Sequence, residues 1–251
     1  MLVTVDGIVI GRRTIGENNC FLDVLTEEYG VIEATAHGIK KLTSKNAGAC
    51  GLFSYSRFCF AKSGVRYTLN SAEPKHSFYE IATDLEALSL AVYFSEVLKA
   101  TSAAEQAADG LLRFAAISFY EVEKRRIPLA QTKAVFELRL AELLGFSPDL
   151  RVCRSCLCYE HEEMYFSPRG GWLICGDCRR EADASADELF LLPPPLLYAA
   201  RYILYSPTEK IYRFTLNREN LDRLSALAER FLLLHLDRDF KSLDYYRAIK
   251  I

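Results

Sequence analysis

Two Cys-x-x-Cys pairs in the middle of the chain constrain its fold more than any other feature of the sequence. The first pair is Cys153 and Cys156, the second is Cys175 and Cys178, and eighteen residues separate the pairs. A two-residue spacer lets one tight turn direct two thiolates toward one point, and two such turns roughly 15–20 residues apart form the usual four-cysteine zinc site. Between them, the turn-forming segment 167–171 (Ser-Pro-Arg-Gly-Gly) predicts a chain reversal that returns the second pair to the first. The sequence therefore predicts one tetrahedral Zn²⁺ with these four cysteines as ligands.

Cysteines also form disulfides or serve as small buried apolar side chains, and both alternatives bear on this prediction. The first residues, MLVTVDGIVIG, contain no basic segment and no small-residue cleavage site. Export is therefore not expected, and disulfides are rare in the reducing compartment that this implies. The spacing leaves Cys158 spare, although it lies near enough in sequence to replace a neighbour as ligand. The other cysteines lie in apolar, strand-like runs and are predicted to be core thiols: Cys20, Cys50 and Cys59.

A shell of four thiolates is closed, which decides what the zinc can do. Catalytic zinc usually keeps an open position for water or substrate. The His-x-Glu motif of zinc deaminases is absent, and the start of a metalloprotease motif at His161-Glu162 fails because the next histidine position is Tyr165. The sequence also contains no nucleotide-binding glycine loop and no Gly-x-Ser-x-Gly nucleophile elbow. We therefore expect a structural zinc and a protein that is not an enzyme.

Up to about residue 73 the sequence alternates short β-rich runs with glycine-containing turns. It predicts five strands, namely Val3–Ile10, Cys20–Thr26, Val31–Ala36, Leu52–Ala61 and Val65–Ser71. An open sheet of this size would expose its edges, so the pattern favours a small closed or partly closed barrel, and the strand count and spacing fit an OB-fold. The longest gap, between the third and fourth strands, contains Lys40, Lys41 and Lys45 and predicts a flexible basic loop.

After residue 77 the apolar periodicity becomes helical. The predicted helices are Phe78–Ala100, Leu111–Arg126, Leu129–Leu144, Leu189–Tyr205 and Arg218–Phe240. No apolar stretch is long enough to span a membrane. We predict an α+β multidomain protein with an N-terminal five-stranded OB-fold β-barrel, an α-helical bundle and an inserted four-cysteine zinc module. The expected limits are 1–76 for the nucleic-acid-binding barrel, 77–150 with 185–251 for the helical domain, and 151–184 for the zinc module.

Positive charge is concentrated in one part of a chain whose net charge is −2. Residues 1–76 carry a net +2, from nine Lys or Arg against seven Asp or Glu. Within residues 37–76, seven basic residues face one acidic residue, Glu73. A local charge of +6 is a credible footprint for phosphates, although a solvated face without a partner would give the same count.

Aromatic residues accompany these charges and suggest how a nucleic acid would be held. Alternation divides the fourth predicted strand into two faces, one with Phe53, Tyr55 and Arg57 and the other with Phe58 and Phe60. The row of Arg57 is expected to face outward, because a guanidinium in the barrel centre would lack a partner. OB barrels bind single strands by stacking bases on exposed rings, and Tyr67, beside Arg66, is a second candidate. For each ring, a place in the barrel core is the alternative.

The order of β-barrel, helical body and four-cysteine insertion resembles the RecO family of recombination mediators. Segments 6–9 (DGIV), Arg12-Arg13 and 25–30 (LTEEYG) are similar to that family's first strands and turn, and 37–41 (HGIKK) with Ser44-Lys45 is similar to its basic loop. The most specific stretch comprises 137–140 (ELRL), 144–150 (LGFSPDL), the first cysteine pair and 165–168 (YFSP). The resemblance spans nearly the whole chain.

This resemblance implies a non-enzymatic role in bacterial DNA repair and recombination. Proteins of the family bind single- and double-stranded DNA, anneal complementary strands and contact the C-terminal tail of single-strand-binding protein. With a RecR partner they help load the RecA recombinase onto coated strands. It also implies a cytoplasmic protein that joins the nucleoid when on DNA, and a zinc that is structural.

The resemblance and the charge pattern together nominate the DNA contacts. By position, the family's basic loop corresponds to Lys40, Lys41 and Lys45, to which Arg12 and Arg13 are added. The remaining basic residues of the barrel strands complete the predicted set: Arg57, Lys62 and Arg66. The alternative function is a zinc-ribbon protein-interaction scaffold without direct DNA binding.

Overall fold

The computed structural model describes residues 1–102, 106, 107, 109–181 and 188–249. The chain divides into two compact units, Met1–Lys124 with Phe240–Ile251, and Arg125–Asp239. Within the described residues it forms seven α-helices: α1 (Leu85–Thr101), α2 (Leu111–Lys124), α3 (Leu129–Leu143), α4 (Gly176–Glu181), α5 (Pro194–Tyr205), α6 (Arg218–Leu236) and α7 (Lys241–Ile249). None of these helices combines the length and the apolar character that crossing a membrane requires.

The first unit is built around a closed barrel of five strands. The strands are β1 (Leu2–Ile15), β2 (Asn19–Thr26), β3 (Gly30–Ala36), β4 (Ser54–Ser63) and β5 (Arg66–Ser77). They close in the order β1-β2-β3-β5-β4, and the β3–β5 pair is parallel whereas the other neighbours are antiparallel. Closure pairs every strand on both sides and leaves no free sheet edge. The predicted barrel of five strands is confirmed.

Strand β1 runs further than its predicted end at Ile10, because it serves two neighbours in succession. It pairs with β4 over Leu2–Ile8 and with β2 over Gly7–Ile15, with a register shift between Val9 and Gly11. At the changeover the strands approach so closely that a Cβ on Gly7 would lie 2.6 Å from Cγ1 of Val24. Glycine is therefore required at the point where the barrel closes.

Alternating side chains of the strands fill the barrel. The two rings predicted to point inward, Phe58 and Phe60, are fully buried and stack with their centroids 5.5 Å apart, whereas Arg57, which directly precedes them, is exposed. Two rings proposed for base stacking are also buried, however. Tyr67 lies in the barrel core with its ring 6.1 Å from that of Phe60, and Phe53 packs against another aromatic ring in α2. The stacking prediction is wrong for both, because Tyr67 is an inward-facing residue of β5 and Phe53 precedes β4 and packs on α2.

Three helices, α1, α2 and α7, belong to the same unit as the barrel. Two carboxylates of β2 and its following turn connect the barrel to these helices. Asp23 accepts a hydrogen bond from Nζ of Lys99 in α1 at 2.6 Å. Glu27 accepts from the backbone N–H groups of Gly110 and Leu112, which start α2. A carboxylate at this position satisfies orphan amides and complements the positive end of the helix dipole.

The second unit combines α3, α5 and α6 with a small four-stranded sheet. The strands are β6 (Asp149–Cys153), β7 (Met164–Ser167), β8 (Trp172–Cys175) and β9 (Phe190–Leu192), in the order β6-β8-β7-β9. One face of the sheet packs on α6, with the rings of Phe166 and Phe231 5.7 Å apart. Between α3 and α6, the ammonium of Lys133 lies 2.8 Å from Glu137 and 2.7 Å from Glu229. Lys133 and Glu137 are almost completely buried, so these charges depend on one another.

The sequence prediction fails at the segment Leu189–Tyr205, which was expected to be one helix. Its first residues form β9, which pairs with β7, and α5 begins only after Pro193. A three-residue strand that forms by pairing with a strand distant in the chain cannot be recognised from the local periodicity of apolar residues. The predicted domain limits remain a prediction, and the helices assigned to one helical domain are distributed over both units. Residues 182–187, where the zinc module was expected to end, and residues 250 and 251 lie outside the described residues.

Candidate nucleic-acid interface and metal centre

The basic loop, defined here as residues 37–53 between β3 and β4, is anchored at the turn that joins β1 and β2. The N–H of Gly38 donates to Oδ1 of Asn19 at 2.8 Å, and the N–H of Lys40 donates to the carbonyl of Asn18 at 3.1 Å. Further along, the side-chain oxygen of Asn46 accepts from the N–H of Ala72 in β5. The loop therefore crosses one end of the barrel and is tied to it at both places.

The loop also fills part of the barrel with its own side chains. Ile39 and Cys50 belong to the barrel core and are almost completely buried. Burial raises the pKa of Cys50 to about 12, so it is a neutral thiol at physiological pH. The three lysines of the loop, in contrast, are exposed: Lys40, Lys41 and Lys45. The loop predicted to be flexible thus has two buried anchors and projects its charges into solvent.

Arg12 and Arg13 lie on β1 close to the same turn. They pair in register with Leu22 and Phe21 of β2, respectively. Arg12 is exposed, and its charge lies near enough to Cys50 of the basic loop to oppose part of the effect of burial on that thiol. The guanidinium of Arg13 lies over the ring of Phe21, 5.5 Å from the ring centroid, and forms an ion pair with Glu33. The structure therefore brings Arg12 and Arg13 to the end of the barrel that the basic loop crosses.

The other three predicted contacts lie elsewhere on the barrel. Arg57 is paired with Asp6 across the β1–β4 ladder, with Nε 2.9 Å from the carboxylate. Lys62 lies near the end of β4, with Nζ 5.1 Å from the ring centroid of Tyr67. Arg66 is exposed at the start of β5, in the hairpin that follows β4. These residues lie on β4 and β5, outside the basic loop.

Asp6 reduces the charge that this side of the barrel offers to a phosphate. Its carboxylate accepts from Arg57 and also from Lys75 at 2.6 Å, so two cations share one anion. The hydrogen bond from Arg57 is the main cause that lowers the pKa of Asp6, while burial opposes it and Lys75 adds to it. The sequence counts of charge did not reveal this pairing, nor that of Arg13 with Glu33, because strand register decides both.

The four cysteines of the two Cys-x-x-Cys pairs come together in the second unit. Cys153 ends β6, Cys156 lies in the following turn, Cys175 ends β8 and Cys178 lies in α4. Their sulfur atoms all lie within 4.8 Å of one another, and those of Cys156 and Cys175 are 3.7 Å apart. Such a group of ligand atoms can hold one metal ion.

Backbone amides favour the ionised state of Cys153. The N–H of Cys175 donates to its sulfur at 3.4 Å and that of Ser155 at 3.5 Å. Burial alone would raise the pKa of Cys153, but amides of these residues and of Cys156 bring it down to about 6. Cys158 differs, since burial and the neighbouring sulfurs raise its pKa to about 12. Cys178 of the predicted set resembles Cys158 in this respect, because the hydrogen bond from Ser155 is outweighed by contacts with Cys175 and Cys156, which raise the pKa of Cys178 to about 12. The thiolate, which is the form that binds metals, is thus favoured at Cys153, and the position of the sulfurs rather than their pKa values selects the four ligands.

Arg201 on α5 holds the first cysteine turn in place, and nothing in the sequence pointed to it. Its side chain is buried and donates to three backbone carbonyls, those of Leu150 at 2.7 Å, Arg151 at 2.9 Å and Tyr159 at 2.7 Å. The guanidinium also lies over the ring of Tyr159, 4.0 Å from the centroid. These contacts clamp the chain on both sides of Cys153. Sequence reasoning missed Arg201 because it lies far from the cysteines in the chain and matches no motif.

Comparisons with known proteins cover nearly the whole chain. Residues 1–78 match the family model "Recombination protein O N terminal", and residues 82–244 match "Recombination protein O C terminal". A protein of Alkaliphilus metalliredigens named DNA repair protein RecO is 30% identical over 250 residues, which is 99% of this chain and 100% of that protein. Proteins of the same name from Acetivibrio thermocellus and Clostridium acetobutylicum are 29% and 27% identical, over 97% of this chain and 95% and 96% of theirs.

Proposed function

The chain belongs to the recombination protein O family, and from this premise we propose that it acts in DNA repair as a recombination mediator. In this proposal it binds single- and double-stranded DNA through the barrel, anneals complementary strands and helps load RecA onto strands coated by single-strand-binding protein. RecR and the C-terminal tail of single-strand-binding protein are its protein partners. Its place of action is the bacterial cytoplasm, on the nucleoid when DNA is bound.

One observation carries the DNA-binding part of this proposal. Lys40, Lys41 and Lys45 project from a loop that is tied to one end of a closed barrel, and none of them has an acidic partner among the described residues. Arg12 adds a further exposed charge near this loop. Cations fixed in position but free of carboxylates are available to neutralise phosphates. Arg13 and Arg57, which already face Glu33 and Asp6, contribute only if DNA displaces these partners.

We propose that the metal in the four-cysteine site is zinc and that its role is structural. Four sulfurs about 2.3 Å from a tetrahedral Zn²⁺ would lie about 3.8 Å from one another, and the measured Cys156–Cys175 separation is 3.7 Å. An all-thiolate set is one that zinc accepts readily, and it leaves no ligand position open. The ion would join β6, β8 and α4, so its binding energy would stabilise the fold of this module.

Salt-dependent binding tests the DNA interface. Each phosphate neutralised on a single strand contributes about −0.7 to the slope of log K against log salt, so three to five contacts predict a slope between about −2 and −4. The measurement is fluorescence anisotropy of a labelled oligonucleotide at several salt concentrations. Changing Lys40, Lys41 and Lys45 together to Glu should abolish binding through the basic loop and leave the fold intact.

A matched control exists for this charge reversal. Lys210, Arg218 and Lys241 are exposed, lie outside the basic loop and have no side-chain partner among the described residues. Changing these three to Glu makes the same difference in net charge. Equal loss of binding in both triple variants would mean that overall charge, rather than the loop, controls affinity, and the assigned interface would be wrong.

Strand annealing with bare and with protein-coated oligonucleotides tests the mediator role. A mediator should accelerate annealing of both, and adding RecR should allow RecA to assemble on the coated strand. Binding to these proteins without affinity for DNA at low salt would instead favour the protein-interaction scaffold. The proposal includes no catalytic step, so ATP hydrolysis or DNA cleavage by the purified protein would contradict it.

A further inference from the structure

The sheet of the second unit has one face that packs on α6 and a second face that carries aromatic side chains. Phe166 of β7 is fully buried against Phe231. Because side chains alternate along a strand, its neighbour Tyr165 points to the opposite face. The antiparallel register of β7 and β8 places Trp172 on this same opposite face. Tyr165 and Trp172 are both partly exposed.

An arginine lies over each of these two rings. The guanidinium carbon of Arg154 is 4.1 Å from the centroid of the Trp172 ring, and that of Arg179 is 4.0 Å from the centroid of the Tyr165 ring. Both arginines are exposed, and neither has a carboxylate partner among the residues that the structure describes. We call these four side chains the arginine–aromatic face. A third exposed arginine, Arg169, lies in the turn between β7 and β8.

Three acidic residues of this module pair with other arginines, and a fourth, Glu160, accepts a hydrogen bond from Tyr198. Asp149 pairs with Arg151 at 2.9 Å, and Asp177 and Glu163 both pair with Arg180. Among the described residues of this module, the arginines without a carboxylate partner are the two on the arginine–aromatic face and Arg169 in the turn between β7 and β8. This separation of paired and free arginines is a property of the fold that a count of charges does not show.

Local backbone structure makes room for the indole of this face. A Cβ on Gly170 would collide with Nε1 and Cδ1 of Trp172, so only glycine allows the ring to lie across the turn. The N–H of Gly170 donates to Oγ of Ser167 at 3.0 Å, which holds the turn in this conformation. The ring is thus placed by a tight hairpin, and Arg154, which follows β6, is held beside it by its N–H, which donates to the carbonyl of Leu173 at 2.8 Å.

A guanidinium held against a ring is suited to single-stranded nucleic acid. Its inner plane is occupied by the aromatic ring, while its outer plane is free to stack on a base and its N–H edges are free to bind phosphates. Duplex DNA keeps its bases stacked inside and could use only the charge. An acidic peptide would likewise use the charge but would gain little from the planar surfaces.

We propose that the arginine–aromatic face is a second binding site for single-stranded DNA, one that contacts bases as well as phosphates. This inference rests on the proposed function, since it gives the same ligand another contact surface on the chain. Two DNA-binding surfaces on one chain would allow it to hold a strand with one and present a second strand with the other, which annealing requires.

The chain offers an intrinsic probe, because Trp172 is its single tryptophan. We expect oligothymidylate to change the Trp172 fluorescence of the metal-bound, full-length protein in a saturable way. The Lys40, Lys41 and Lys45 triple Glu variant should keep this response, because its substitutions lie in the barrel unit. Anisotropy of a labelled oligonucleotide, measured in parallel, reports total binding.

Paired variants separate this face from its surroundings. Changing Arg154 and Arg179 together to Gln should weaken oligonucleotide binding roughly tenfold and make the salt slope shallower by about 1.4, if each arginine neutralises one phosphate. Changing both to Lys keeps the charge but removes the planar surface, so it should restore the salt slope and only part of the affinity. The matched control changes Arg151 and Arg180 to Gln, and it should bind as the wild type does. Metal content must be equal in all variants, which shows that the module is folded.

The possible contrary results have different meanings. Oligonucleotide binding by anisotropy with no change in Trp172 fluorescence would overturn this inference and leave the proposed function standing. Absence of any anisotropy change would overturn the proposed function itself. If a polyglutamate peptide changes the Trp172 signal at lower concentration than oligothymidylate does, the face recognises an acidic protein segment, and the inference is wrong.

Discussion

Arg201 provides the sharpest test of how the metal-binding module is stabilised. Its buried side chain donates to the carbonyls of Leu150, Arg151 and Tyr159 at 2.7–2.9 Å. A hydrogen bond from a charged donor contributes about 1.5–3 kcal/mol, so three of them amount to roughly 4.5–9 kcal/mol. One nitrogen of the guanidinium, NH1, is buried without a hydrogen-bond partner among the described residues. Replacing the guanidinium removes the desolvation cost of this nitrogen, about 1–3 kcal/mol, and part of the cost of burying the charge. Both effects offset part of the stability that is lost with the three hydrogen bonds.

The net expectation for Arg201→Met is a loss of about 3–5 kcal/mol from the unfolding free energy of the second unit. With a urea dependence of about 1–3 kcal/mol per molar, the unfolding midpoint should fall by roughly 1–5 M. Trp172 lies in β8 and reports this transition by fluorescence. Because the clamp holds the chain around Cys153, release of the metal to a competing chelator should also become faster. Arg201→Lys keeps the charge but offers one donor nitrogen in place of the two that Arg201 uses. Its unfolding midpoint should therefore lie between those of the wild type and Arg201→Met.

The control for this experiment is Arg151→Gln, in the segment that Arg201 clamps. Its side chain is exposed and pairs with Asp149 at the surface, where ion pairs contribute little, so a small change is expected. If Arg201→Met unfolds at the wild-type midpoint and releases metal at the wild-type rate, the three hydrogen bonds do not stabilise the module. The reasoning about a buried guanidinium clamp would then be refuted.

Three further predictions follow from buried charge, pH and metal. Lys133→Met should destabilise the second unit by about 3–5 kcal/mol in urea titrations, because the buried Glu137 would lose its cation; an unchanged midpoint would contradict this. The pKa of Asp6 is lowered mainly by Arg57, so its stabilisation is complete above the unfolded value of about 3.8 and is lost as pH falls below it. The acid unfolding profile should therefore be less steep in Asp6→Asn, and an identical profile would show that the pair is unimportant. Chelation of the metal should shift the Trp172 emission to longer wavelength while strand-rich circular dichroism from the barrel persists; an unchanged emission would mean that the metal does not hold the module.

The four-cysteine cluster could be predicted from the sequence because its information is local. Each Cys-x-x-Cys pair forms within one turn, and the intervening residues form one hairpin, so spacing alone is enough to bring the sulfurs together. The structure places the four sulfurs within 4.8 Å of one another, as predicted. Cys158 is also close, but the metal-binding group among the described residues contains the four cysteines that the spacing selected.

The barrel was predictable for a related reason. Alternation of apolar and polar side chains marks strands, and five short strands without a covering layer favour closure. The same rule correctly oriented Phe58 and Phe60 inward. It failed for Phe53, because this residue lies before the start of β4 and has a φ of 60°, so the alternation of that strand does not extend to it. Phe53 packs against a ring of α2, and Tyr67, which was proposed from its neighbour Arg66 rather than from alternation, lies in the barrel core.

By itself, then, the sequence determined the features whose partners are near one another in the chain: strand and helix periods, the cysteine turns and the position of a basic loop. Tertiary structure alone decided which charges remain free. Arg57 is neutralised by Asp6 and Arg13 by Glu33, whereas Arg154 and Arg179 lie over rings without carboxylates nearby among the described residues. The physical reason is that an ion pair depends on distances of a few ångströms, and strand register sets these distances between residues that are far apart in the chain.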